Sequence, residues 1–406
     1  MNTLNSSVTS VSATTVLRCT RAVLPTGIVD DVRLTITDGI ITAISGAGVP
    51  DPSDGTAAED VGGTVLPGFV DTHVHGGGGA DFATRDPAEA RRAVAYHRGQ
   101  GTTTMFASLV TDTVSRIVRQ IRTLVPLCVS GELAGIHLEG PFLAPSRCGA
   151  HDPGLLIAPT PEALDALLEA ADGNLAMVTM APELPGAEQA YDRLVSAGVT
   201  VAIGHTESDA AQTARGIAHG ATVATHLFNA MPSIHHRTPG PVPLLLDDPN
   251  VLVELIADGV HVHPDVLAMA IRAAGPSRVA LITDAIVAAG MPDGEFQLGT
   301  LHVQVVDAVA RLITETGPGS IAGSTLTMAA ALRYAVQVVG VDLADAALMA
   351  ATTPAAWHGL AEVGALATGS RADLVVVDDD LLPTRVMRAG QWLGADIPPP
   401  TETQEA

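Results

Sequence analysis

Two histidines one residue apart open the chemistry of this chain. They sit in Val65-Leu66-Pro67-Gly68-Phe69-Val70-Asp71-Thr72-His73-Val74-His75, and Gly76, Gly77, Gly78 and Gly79 follow. Alternate residues of a strand share a face, so His73 and His75 point together. The glycines are expected to let a ligand approach the backbone. Four more ionisable residues each end a short apolar run. Glu139 closes Ile136-His137-Leu138, His205 closes Ala202-Ile203-Gly204, His226 closes Val223-Ala224-Thr225, and Asp284 closes Ile282-Thr283. Taken singly, each is an ordinary polar strand end. Together they need a shared partner, because breaking a buried ion pair costs roughly 3–5 kcal/mol. A divalent cation is the economical one. Imidazole and carboxylate without thiolate suit Zn²⁺, Fe²⁺, Co²⁺ or Mn²⁺, with zinc the usual choice. Such an ion lowers the pKa of bound water to about 7 and polarises carbonyls.

Positioning these groups requires strands that end in one place. Eight apolar runs recur at 65–70, 103–107, 133–138, 176–181, 200–203, 222–224, 251–256 and 279–282. Helical stretches lie between them, at 87–99, 161–171, 187–197, 209–219 and 264–274. Strands alternating with helices imply βαβ units and a parallel sheet. Eight units in this length imply an α/β fold of the (β/α)8 TIM-type barrel class, with the active site at the C-terminal ends of the strands. Helices are expected near 326–339 and 343–360. Both chain ends are β-like: residues 32–37 alternate around Asp38-Gly39 into 40–44, a hairpin signal, and 372–378, 384–387 and 391–393 read as strands. This predicts a small β-sandwich domain from 15–65 and 362–396, a barrel over 66–361, and disordered tails at 1–14 and 397–406.

Composition excludes several chemistries. All 21 basic residues are arginine. Without lysine there is no Schiff base and no phosphate-loop lysine, nor a carboxylated lysine to bridge two metals. A formal charge of −23 argues against nucleic acid or an anionic membrane as partner. Cys19, Cys128 and Cys148 are widely spaced, which argues against a disulfide scaffold or a thiolate zinc site. Residues 1–15 lack the pattern of a secretory signal, and no apolar run is long enough to span a bilayer. A cytoplasmic location is expected.

Taken together, the HxH pair, the histidines on strands five and six and the aspartate on strand eight resemble the amidohydrolase superfamily. Gly135-Ile136-His137-Leu138-Glu139-Gly140-Pro141-Phe142, Ile203-Gly204-His205-Thr206, Thr225-His226-Leu227-Phe228-Asn229-Ala230-Met231-Pro232, Ala257-Asp258-Gly259-Val260-His261 and Thr283-Asp284-Ala285 resemble, within it, the N-acetylglucosamine-6-phosphate deacetylase family. The resemblance covers about residues 16 to 395. It implies metal-dependent hydrolysis of an acetamide on a small phosphorylated amino sugar, in amino-sugar catabolism or cell-wall recycling. Glu139, His205 and His226 match the main metal ligands. His73 and His75 match a pair that holds a second ion in some members, with Glu139 bridging, so one or two ions per chain are implied. Asp284 matches the catalytic acid/base, and His151 a histidine that contacts the acetamido carbonyl. Asn229, Ala230, Arg237 and His261 match groups that recognise the sugar and its 6-phosphate, some reaching in from a neighbouring subunit of a homodimer. Ile286 stands where the family pattern has methionine.

Other histidines read as ordinary: His97, His219 and His358 in helical segments, His302 in a β-like stretch, and His263 as a neighbour of His261. His137 shares a strand face with Glu139 and could equally support the site or stand apart from it. Cys148 reads as incidental. An amidohydrolase acting on a cyclic amide or N-acyl amino acid, and a barrel that has lost catalysis, are the competing readings.

Overall fold

The computed structural model describes residues 13–46, 57–315 and 317–394. The expected tails therefore lie almost wholly outside the described residues. Eight parallel strands form the barrel sheet: β1 (Phe69–Val74), β2 (Thr102–Val110), β3 (Gly135–Glu139), β4 (Leu175–Met180), β5 (Thr200–Ile203), β6 (Ala221–Ala224), β7 (Leu252–Ile256) and β8 (Val279–Ile282). Their order in the sheet follows the chain, as right-handed βαβ crossovers dictate. Helices return between them, several started by a side-chain cap. Asp86 and Thr160 each accept a backbone N–H, and Asp209 forms a capping box with Gln212.

The barrel closes at the same place as the site. Past the end of β8, Asp284 N–H donates to His73 O at 2.9 Å, and His75 N–H donates to Ala285 O at 2.8 Å. Thr283 Oγ1 donates to Asp71 Oδ2 at 2.6 Å. The seam between first and last strands thus fixes His73, His75 and Asp284 relative to one another.

The expected run at 65–70 belongs to two sheets. Thr64–Pro67 pairs with strands of the chain ends, whereas Phe69–Val74 enters the barrel. Gly68 is the joint; a Cβ there would collide with the Thr103 side chain. Strands Thr14–Leu24, Gly27–Thr37, Ile40–Ser45, Glu59–Asp60 and Thr64–Pro67 join Leu374–Val377, Pro383–Arg388 and Gln391–Trp392 in one mixed sheet. It has its own core, including Leu17, Leu34, Ile41 and Leu374. The hairpin at Asp38-Gly39 forms, with φ of 51° and 81°.

Two features differ from the expectation. Strands Gly294–Leu298, Leu301–Val306, Val309–Thr314 and Gly317–Ile321 make a separate antiparallel sheet over the barrel mouth, where the sequence reading gives only a β-like stretch at His302. The expected helix at 343–360 is carried by Leu343–Ala347, one π turn at Leu348–Thr352 and Thr353–Trp357. Among the described residues no helix is long and apolar enough to cross a membrane.

The glycines after His75 serve packing rather than ligand access. A Cβ on Gly77 would lie 2.5 Å from the Tyr96 ring and 2.7 Å from His97 Nε2, and one on Gly78 2.9 Å from Tyr96 Cβ. His97 is buried, and its Nε2 bonds Gly76 O at 2.8 Å. Overpacking of this kind costs about 1–3 kcal/mol. Gly77→Ala should therefore lower stability by about that amount in chemical denaturation. Unchanged stability with a raised KM would instead restore the ligand-access reading.

Candidate active site

A cavity of about 350 Å³ opens at the C-terminal ends of the strands, lined by His75, Glu139, His151, His205, His226 and Asp284 among others. Local backbone turns these side chains inward. His205, His226 and Asp284 all hold left-handed φ, at 48°, 27° and 50°. Non-glycine residues there cost roughly 1–3 kcal/mol each and persist only where surrounding structure demands them.

The two oxygens of Glu139 divide the cluster. Oε1 lies 3.0 Å from His205 Nε2 and 2.9 Å from His226 Nε2, and those nitrogens are 3.1 Å apart. Oε2 lies 3.0 Å from His75 Nε2 and 3.4 Å from His73 Nε2, which are 3.2 Å apart. Asp284 Oδ1 joins the second set, 3.2 Å from His75 Nε2 and 3.5 Å from His73 Nε2. His151 Nε2 stands 3.5 Å from Glu139 Oε2.

Hydrogen bonds on the far side of the rings show what these sets can hold. His205 Nδ1 donates to Arg147 O at 2.8 Å. That fixes the tautomer and turns the Nε2 lone pair on Glu139 and His226. Acceptors facing acceptors at 3 Å repel unless a cation stands between them. Two ligands at 2.0–2.1 Å from a tetrahedral ion are roughly 3.3 Å apart, close to the observed spacings. The donor set therefore fits a divalent cation on either side of Glu139. His73, His75, Glu139 and Asp284 form one such buried group, and His205 and His226 meet at the other oxygen of Glu139.

Electrostatics agree. Burial favours neutral groups here, yet Glu139 and Asp284 raise His73 well above the ordinary imidazole range and His75 to about 9. Burial likewise opposes the charge on the two carboxylates, but the imidazoles hold Glu139 well below its usual range and Asp284 below its own. Positive charge, as protons or metal, is what the site demands. His151 is different. Burial depresses it to about 4, and Thr111 N–H donates to its Nδ1 at 3.2 Å. Its proton therefore sits on Nε2, facing the cavity.

Among the expected substrate groups, Asn229, Ala230 and His261 line the cavity. His261 Nδ1 bonds Asp258 Oδ2 at 2.6 Å. Burial opposes its charge, but Asp258 prevails and raises His261. Arg237 does not line this cavity. It lies on an exposed loop, with Nη1 2.8 Å from His236 Nε2. Arg147 lines the cavity instead and went unread in the sequence; its guanidinium is engaged by Glu207. Its place four residues before His151 was the available signal.

Three buried groups beneath the cluster complete it. His137 bonds Ser108 Oγ and Thr179 Oγ1, both at 2.9 Å, and packs edge-on to His73 with centroids 4.5 Å apart. It supports the site without facing the cavity. Asp71, pushed up to about 7 by burial, accepts from His73 N–H and Thr283. Glu254, on β7, meets Thr72 and His73. Asp71 and Glu254 were missed, although a carboxylate inside an apolar strand is itself a signal.

A model of the amidohydrolase family matches residues 64–393. The chain belongs to that family. This amidohydrolase is 36% identical over 383 residues to an N-acetylgalactosamine-6-phosphate deacetylase of Escherichia coli O157:H7, covering 93% of this chain and 99% of that one. It is 34% identical to an N-acetylglucosamine-6-phosphate deacetylase of Lysinibacillus sphaericus, over 80% of this chain and 84% of the relative. Its fold matches that of the Mycobacterium smegmatis N-acetyl-D-glucosamine-6-phosphate deacetylase, solved as a mutant with N-acetyl-D-glucosamine 6-phosphate. The TM-score is 0.89 and the identity 44%, over 94% of this chain and 99% of that one.

Because His73 and His75 are raised by the same carboxylates that face the cavity, a cation entering this amidohydrolase site displaces protons. A raised pKa means the competing proton is bound more fully as pH falls below about 9 for His75. Cation affinity should thus fall with pH, by up to about tenfold per unit for each proton displaced. Calorimetry between pH 6 and 9 measures this; affinity independent of pH would contradict it.

Proposed function

We propose that this enzyme hydrolyses the acetamide of N-acetyl-D-glucosamine 6-phosphate to D-glucosamine 6-phosphate and acetate, using one or two divalent cations, zinc first among them. The observation that carries the proposal is Asp284, set at 3.2 Å from His75 Nε2 at the rim of two cation-demanding sets in one cavity. The names of the relatives supply the substrate class. A cation bound there supplies an acidified water and a polarised carbonyl. Asp284, held ionised by its imidazole neighbours, takes a proton from the attacking water. His151 offers Nε2–H to the oxygen of the acetamide as negative charge develops on it, a contact worth roughly 2.7–4 kcal/mol. Asp284 then returns the proton to the amine nitrogen, and acetate leaves.

His261 lines the cavity as a phosphate contact, and Asp258 favours its charged form. Arg237 is the second, reaching in from the partner of a homodimer. Its exposure on a loop that carries Ile234, 49% exposed, supports this placement. Guanidinium matches phosphate oxygens well. The phosphorylated substrate and the unpaired cysteines fit a cytoplasmic enzyme. Hydrolysis of N-acetyl-D-galactosamine 6-phosphate is a second reading, favoured by the relative that matches over 99% of its length.

Acetate release from the two sugar phosphates, with metal content measured alongside, tests the activity. Release from neither would overturn it. Asp284→Asn should lose about 10²–10⁴-fold in kcat with metal still bound; near-normal turnover would remove Asp284 from its role. Replacing His73 and His75 together with asparagine should lower the metal content from about two towards one per chain, if the two oxygens of Glu139 each face an ion. A charge-assisted hydrogen bond is worth about 1.5–3 kcal/mol, so Arg237→Ala should cost roughly 10–100-fold in kcat/KM on the phosphorylated substrate only. Mixing Arg237→Ala with Asp284→Asn chains should recover activity, because one site of each mixed dimer is then intact. No recovery would return Arg237 to its own subunit.

A further inference from the structure

Glu254 is a fully buried acidic residue that no step of the reaction uses. It lies within Leu252–Ile256, in which every residue is buried and all the others are apolar. Inward-facing positions alternate along the strand. Leu252, with Met177, Ala202, Val223 and Ala280, packs the apolar floor of the barrel. Glu254, two residues on, is one layer above that floor and directly beneath the cavity. Its side chain is 0% exposed, as is that of His73. Thr72 Oγ1 donates to Oε1 at 3.1 Å, and His73 Nδ1 lies 3.3 Å from Oε2. Burying a carboxylate costs several kcal/mol unless its partners repay it, and nothing in the strand's packing asks for one.

We propose that Glu254 is a positioning residue for the cation subsite formed by His73, His75, Glu139 Oε2 and Asp284. It accepts the Nδ1 proton of His73 and so turns the Nε2 lone pair into that subsite. The inference rests on the two-ion reading above. The other subsite already has an analogous brace, since Arg147 O accepts from His205 Nδ1. Second partners of metal-binding histidines fix both tautomer and ring orientation. The edge-on ring of His137 holds His73 from one side and Glu254 from below, so the imidazole has one orientation available. The main chain of residue 254 has a separate task. Its carbonyl accepts from Leu227 N–H at 2.9 Å, a bond that a side-chain change leaves in place.

Metal-free protein, wild type and Glu254→Leu, is titrated with zinc by calorimetry and its metal content counted. Leucine keeps the apolar character of the strand and removes both acceptors. The wild type should bind two ions. In Glu254→Leu the step that is also lost in the His73/His75 double variant should weaken by about 10–100-fold, while the other step keeps its Kd. Equal weakening of both steps, or none, overturns the proposal. A wild type that binds a single ion sinks the two-ion reading and this inference with it. Two ions in both proteins with unchanged affinities sink this inference alone. Should the variant fail to fold, ¹⁵N shifts of histidine in the zinc-loaded wild type decide. His73 is expected to carry its proton on Nδ1, and a proton on Nε2 refutes the assignment.

Discussion

One carboxylate, Glu139, is asked to face four imidazoles in a space where water is scarce. His205 and His226 crowd one oxygen; His73 and His75 crowd the other. Such a set is stable only with positive charge inside it, and much of the local structure serves to keep it assembled. Left-handed backbone at three strand ends is tolerated because the closed sheet leaves those residues little choice. Barrel closure is carried by bonds between the very residues that frame the set, so distorting the site also opens the seam. Fold and chemistry share their hydrogen bonds here.

Below the set, the barrel interior is built in layers. An apolar floor is followed by a polar layer in which Ser108, His137, Thr179 and Thr225 bond in series. Desolvation would leave any one of these polar groups costly on its own; linked, they form a firm bed for the ring of His73. His137 stays neutral there, because burial and the cationic neighbours push it well below the usual imidazole range. A neutral ring can bond to two hydroxyl groups and still pack against His73 without repelling it.

The rim follows another logic. In a chain with a formal charge of −23, attracting the proposed phosphorylated substrate calls for local positive charge at the cavity. Arg147, although at the cavity, is engaged by Glu207, and it contributes through its carbonyl, which orients His205. His261 is paired as well: Asp258 favours its charged form and lies 2.6 Å from its Nδ1, leaving Nε2 for the cavity. The antiparallel sheet of residues 294–321 walls the cavity through Leu298, Ser320 and Ile321, and Ser320 Oγ bonds Gly149 O at 3.0 Å, tying that wall to the loop that carries His151. Closing one side of the cavity in this way limits the access of water to it.

The barrel, its strand ends and the six groups gathered there were legible from sequence because they obey local rules. Period-two alternation aims His73 and His75 together, and parallel βαβ units bring every strand's C-terminal end to one mouth. Those rules do not reach the supporting groups. Glu254 meets His73 from 181 residues away, and Asp71 meets Thr283 from 212 away; no spacing within either strand encodes such a pairing. The packing role of the glycines after His75 is hidden in the same way, since the ring of Tyr96 that presses on Gly77 and Gly78 belongs to the helix that follows β1. The sheet over the mouth was legible in part, since Glu295-Phe296-Gln297-Leu298 and Leu301-His302-Val303-Gln304-Val305 alternate polar and apolar residues about Gly299-Thr300. Arg237 could be recognised by its motif, but its distance from the cavity became visible only in three dimensions. Sequence by itself determined which residue types meet at the barrel mouth, because periodicity and topology act along the chain. Which tautomer each histidine holds, how each cation at the rim is paired and where the glycines press were decided by tertiary structure alone, because each depends on a partner that folding brings near.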